Sequence, residues 1–133
     1  MTTRQMQNIK EKTEAIIAER LLGFTDDSAK LRALEALLHT TETITATERT
    51  AYVMALTRYR MFWSGLADTI RHQLETSVEE ANLADVLAEV QDKAVELTEE
   101  RDGCESSYLE ASQALPIIRD AYADLRSKIN VNR

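Results

Sequence analysis

Apolar or small residues recur in alternating steps of four and three from Leu83 to Ile129, and this stripe predicts most of the architecture. It runs Leu83, Leu87, Val90, Ala94, Leu97, Arg101, Cys104, Tyr108, Ala111, Leu115, Ile118, Tyr122, Leu125, Ile129, and only Arg101 breaks it. Steps averaging 3.5 residues hold side chains on one side of a helix, where a second helix can cover them; this is the heptad seam of coiled coils and long-helix bundles. Flanking positions are polar, so the stripe is a seam and not an all-round buried helix.

The rest of the chain reads the same way in shorter pieces. Thr2 or Thr3 can cap a first helix running to about Leu22, with Met6, Ile9, Ile16 and Ile17 along one side and Gly23 placed to end it. Thr25, Asp26 and Asp27 offer oxygens for a second N-terminus, followed by Leu31, Leu34, Leu37 and Leu38 in a short helix expected to end near His39. From Thr40 to Thr47 the threonines are dense and β-branched, and a loop is expected. Thr45 and Glu48 then match a T-x-x-E capping box. A long third helix follows from Ala46 to about Ser77, carrying Tyr52, Leu56, Tyr59, Trp63, Leu66 and Ile70, with loss of phase around Thr76 to Val78.

Two readings meet at Asp102 to Glu105. Asp102 with Glu105 resembles another capping box and Gly103 suits a helix end, so the seam would fold back as a hairpin. Against that, the phase passes the glycine unshifted, as in one rod, and an interior glycine costs only about 1 kcal/mol. Arg101 tips the reading to the hairpin, because a rod calls for an apolar residue there. Pro116 is expected to bend or restart the last helix at Leu115.

The fold expected is therefore all-α: a helical bundle in a single domain, with short N-terminal helices over residues 1–45, a long aromatic-lined helix over 46–77, and a coiled-coil-like hairpin or kinked rod over 78–133. Three glycines and one proline in 133 residues leave few breakers among strong helix formers, and nothing reads as a strand. No segment approaches the roughly 18 apolar residues of a membrane span, and no export signal is read, so a cytoplasmic protein or a component of a particle is expected. The single Cys104 excludes an intrachain disulfide.

Charge sharpens the functional expectation. Of the net −7, residues 75–110 hold 12 acidic and 2 basic groups, whereas 45–74 hold 4 basic and 2 acidic. A duplex nucleic-acid partner is disfavoured, since phosphate binding needs a positive face; a basic protein surface, or a basic patch on another copy, fits better. Glu89, Asp92, Glu96, Glu99 and Asp102 line one helical face three or four residues apart. Their E-x-x-E and E-x-x-D spacing resembles that of all-helical nucleotide pyrophosphatases, which implies magnesium there. The seam places these acids on the outer, solvated face, with no second acidic block or lysine-rich phosphate site, so no metal or cofactor is assigned.

Other candidates read as structural. His72 with Asp68 and Glu75, and His39 with Glu35, fall short of a ligand set and suit surface or capping roles. Arg58, Tyr59, Arg60, Phe62 and Trp63 mix cations and aromatics that could stack on single-stranded bases, yet the helical period sends the aromatics to the core side. Trp63-Ser64-Gly65 resembles the W-x-G of small secreted helical-hairpin proteins that pair as dimers. That resemblance implies a turn there, but it covers one tripeptide, and Ser112 and Arg126 stand where a terminal Y-x-x-x-D/E signal needs an acid.

The function expected is a non-catalytic assembly or adaptor module. It would self-associate or dock a partner through the seam (Leu83, Leu87, Val90, Leu97, Tyr108, Leu115, Ile118, Tyr122, Leu125, Ile129) and the acidic face. The alternatives are an acidic inhibitor occupying a basic site, and a magnesium-dependent nucleotide pyrophosphatase.

Overall fold

The computed structural model describes residues 1–76 and 80–131, with the side chains of 73, 74, 76 and 80–83 outside the description. Among the described residues the chain is an all-α helical bundle of three helices in order: α1 (Thr3–Leu21), α2 (Asp27–Thr76) and α3 (Glu80–Val131). The expected loss of phase at Thr76 to Val78 falls largely outside the described residues.

Helix α1 begins and ends as the sequence predicts. Gln5 N–H donates to Thr2 Oγ1 at 3.1 Å and Thr2 N–H donates to Gln5 Oε1 at 2.8 Å, a reciprocal capping box that satisfies two donors with no intrahelical partner. At the other end Gly23 adopts φ +91°, a conformation that costs a Cβ-bearing residue dearly, and the chain leaves the helix there.

Helix α2 corrects the expected second helix, loop and third helix, which are one element. The threonines do not open a loop, because their hydroxyls are satisfied inside the helix: Thr40, Thr41, Thr43 and Thr45 each donate to the carbonyl four residues back, at 2.7–3.0 Å. Each threonine lowers helix propensity by less than about 0.7 kcal/mol, and no glycine or proline lies between Asp27 and Ser64. The covered stripe also runs on through them: Leu34, Leu37, Thr41, Thr45, Glu48, Tyr52 and Ala55 follow steps of three and four, and every one is buried or half-buried. Thr45 and Glu48 accordingly sit mid-helix, not at a start.

Helix α3 corrects the hairpin. It passes Gly103 without interruption, so the C-terminal stripe belongs to one helix, and it passes Pro116 without restarting at Leu115. The physical reason at Arg101 is that its guanidinium needs no burial: it lies over the Tyr59 ring, 4.1 Å from the centroid, while Nε and Nη2 donate to Asp102 Oδ1 at 3.1 and 2.9 Å. An apolar stripe position is thereby filled by the flat face of a cation. Trp63, Ser64 and Gly65 all lie within α2, in the long helix expected there and not in the turn that the W-x-G resemblance implies.

Two compact units divide the chain. The first comprises Met1–Glu48 with Ser107–Arg133, the second Arg49–Ser106. In the first unit Leu34, Leu37 and Ile118 form a buried cluster, against which Ile17 and Leu21 of α1, Leu38 of α2, and Ala121, Tyr122 and Leu125 of α3 pack. Rim ion pairs, Lys12 with Glu110 at 3.6 Å and Arg119 with Glu42 at 3.8 Å, are exposed and contribute little. In the second unit only two helical segments face each other. Arg58 pairs with Glu100, and Tyr59 lies beneath Arg101, so the segments run antiparallel with facing residue numbers summing to about 159.

Candidate interaction surface

The second unit buries little. Among its described residues the fully buried apolar side chains are Ala55 and Leu97, at 1% and 4% exposure. Two helices can hide only the strip where they touch, so apolar side chains on the flanks stay in water. Val53 and Trp63 of α2 and Leu87 and Val95 of α3 are all substantially exposed.

Helical periodicity sorts these flanks. At 3.6 residues per turn, and for an antiparallel pair, the Val53 and Trp63 flank of α2 and the Leu87, Ala94 and Val95 flank of α3 open to the same side. The opposite side carries the Arg58–Glu100 pair and the Lys93–Glu96 pair, the latter at 3.6 Å. Met54 and Met61 are exposed away from the first side and several arginines lie on it, so neither side is purely apolar or purely charged; the greasy side is the one to which both helices contribute exposed large apolar side chains. On the greasy side a shallow groove runs along α3 past Gln91, Ala94, Val95, Thr98 and Glu99. Trp63 stands across from it at the same level, its ring edge-on to Tyr59 and Phe62 at 6.1 and 5.4 Å between centroids.

The seam residues divide between the units. Leu97 and Ile118 are buried; Val90, Tyr108, Leu115, Tyr122, Leu125 and Ile129 are half-buried; Leu87 is exposed; the Leu83 side chain lies outside the described residues. The five carboxylates Glu89, Asp92, Glu96, Glu99 and Asp102 are all exposed. Among the described residues no three His, Cys, Asp or Glu side chains are grouped to hold a metal ion. Asp102 accepts from Arg101, and this bond, ahead of the aromatic neighbour Tyr59, raises the guanidinium pKa above its ordinary value against the opposing effect of burial.

The histidines and the cation–aromatic cluster end up apart from any convergent site. His39 lies 3.9 Å from Glu35 and 3.7 Å from Glu42 on the exposed side of α2. Arg58 and Tyr59 are engaged with α3, leaving Arg60 and Trp63 as the exposed members of that cluster. Cys104 is a half-buried free thiol.

One charged feature escapes a reading by apolar stripes. Arg49, Arg60 and Arg71 are spaced by eleven residues, about three helical turns, so all three follow the flank of α2 that opens to the greasy side. The signal lies in the eleven-residue period of the basic residues.

No helix among the described residues is long and apolar enough to cross a membrane. Comparison with known proteins adds no relative, since no protein-family model, no curated protein and no solved structure matches this chain.

Proposed function

We propose that this protein is a non-catalytic assembly or adaptor module that works by docking helices against its second unit. The observation that supports the reading is the exposure of Val53, Trp63, Leu87 and Val95, with Met54 and Met61 exposed as well, beside a two-helix contact whose fully buried apolar side chains among the described residues are Ala55 and Leu97. Large apolar side chains exposed on two neighbouring helices suit a binding surface, and here charged groups lie among them as at interface rims. The acidic face of α3, on the outer side of the same pair, would set encounter rate and register more than affinity. Light scattering on the full chain from about 1 to about 100 µM tests this. A mass above the 15.1 kDa monomer, or a stable complex with a partner protein, is expected. A strict monomer that binds no protein overturns it.

A second reading is an acidic inhibitor, favoured by the exposure of all five carboxylates between Glu89 and Asp102. It predicts a monomer that binds a cationic protein and releases it above about 0.5 M salt, where the Debye length falls to a few ångströms.

A further inference from the structure

We infer that the greasy side of the second unit is filled by the same side of a second copy of this chain, related by a two-fold axis parallel to the helices. The inference rests on the association reading above and names its partner.

The argument is one of supply and charge. A third and fourth helix are what a two-helix pair lacks, and a second copy brings both, with the same flank of Trp63, Leu87, Ala94 and Val95 to offer. From the level of Val53 to that of Leu87 the surface is about 30 Å long and two helices wide, so each copy covers about 600 Å². The total of about 1,200 Å² reaches the lower bound of stable protein interfaces.

Two symmetric ways exist to stack such pairs. An axis across the helices lays α2 on α2 and α3 on α3, which opposes two α3 segments that each hold 8 acidic and 2 basic groups over residues 84–106. An axis along the helices lays each α2 on the α3 of the other copy, and the basic segment, 4 basic and 2 acidic groups over 49–76, meets the acidic one. The second arrangement is the electrostatically complementary one. It keeps the levels already fixed within one chain by Arg58 with Glu100 and Tyr59 with Arg101. Arg60, exposed on the docking flank, then stands opposite the turn containing Glu99 and Asp102 of the second copy. Glu99 is exposed on the groove's rim. The product is a four-helix antiparallel bundle in which Trp63 and Leu87 of both copies point inward.

Sedimentation equilibrium on the full-length chain tests it, with circular dichroism confirming that each variant stays helical. The wild type is expected to be a dimer. The double variant Leu87→Glu with Val95→Glu, both exposed in the single chain, is expected to raise the dimer dissociation constant at least about 30-fold. Arg60→Glu and Glu99→Arg are each expected to raise it about 10-fold, because each like-charge contact occurs twice across the axis. The two together are expected to return it to within about 3-fold of wild type. A wild-type monomer at about 100 µM overturns both this inference and self-association. A dimer unmoved by the Leu87 and Val95 changes overturns the surface while leaving association standing. A dimer weakened by those changes but not rescued by the charge swap, or a trimer or larger ring, overturns the two-fold arrangement.

Discussion

The two units of this protein are built from the same two long helices, yet they solve the problem of burial differently. In the first, α1 lays Ile17 and Leu21 against the strip where α2 and α3 meet, and Leu34, Leu37 and Ile118 disappear from water. In the second no third segment is present among the described residues, and Ala55 and Leu97 are the fully buried apolar side chains. Trp63, the largest side chain in the molecule, remains 46% exposed. The difference teaches that a heptad stripe secures a contact line but not a core, because a core needs enough elements to surround the line.

The contrast can be broken most forcefully at Leu34, which is 2% exposed. Leu34→Ala is expected to lower stability by about 3 kcal/mol, read as the shift of a urea-unfolding midpoint, since a cavity ringed by three helices cannot collapse. The matching change in the second unit of the monomer, Leu97→Ala, read in the Leu87→Glu, Val95→Glu background that opposes dimerisation, is expected to cost less, about 2 kcal/mol, because solvent and side chains can move into a site enclosed from fewer directions. Equal losses at the two sites would remove the distinction between the units. Hydrogen exchange in the same monomeric background sharpens the point: amides of residues 49–70 and 84–106 are expected to exchange faster than those of 30–45 and 110–128.

Backbone changes produce smaller effects of opposite sign. Gly23→Ala is expected to cost about 1 kcal/mol, since φ is +91° there and the added Cβ meets strain and not a clash. Gly103→Ala is expected to raise stability by roughly 0.5–1 kcal/mol, because the glycine lies inside α3 and its Cβ position is open. A loss at Gly103 would instead mean that the chain turns there, and the continuous α3 would be wrong.

Much of this fold was legible residue by residue, and the errors share a cause. Thr2 with Gln5 and the positive-φ Gly23 are local devices, decided by atoms a few positions apart, so the start and end of α1 could be read directly. Thr41 and Thr45 were misread on their β-branching, which disfavours a helix interior, whereas bonds to carbonyls four residues back let them occupy covered positions of α2. Arg101 was misread because a cation on an apolar stripe argues for a break unless an aromatic face is waiting, and Tyr59 is 42 residues away. The exposed flank suggested as a docking surface was only partly visible: Trp63 and Leu87 were placed on apolar stripes, and nothing in those stripes said that a third helix would pack at Leu34, Leu37 and Ile118 and none among the described residues of the second unit.

By itself the sequence determined the helical state of most described residues, the end of α1 at Gly23, the outward placement of Glu89, Asp92, Glu96, Glu99 and Asp102, and the inward placement of Leu97 and Ile118. These follow from the 3.6-residue period and from hydrogen bonds that close within one turn. Tertiary structure alone decided that Asp102 to Glu105 is helix and not turn, that Arg101 rests on Tyr59, and that a third helix packs on the buried cluster of the first unit. Those outcomes depend on which distant segment arrives at a given face, and a local period carries no information about that.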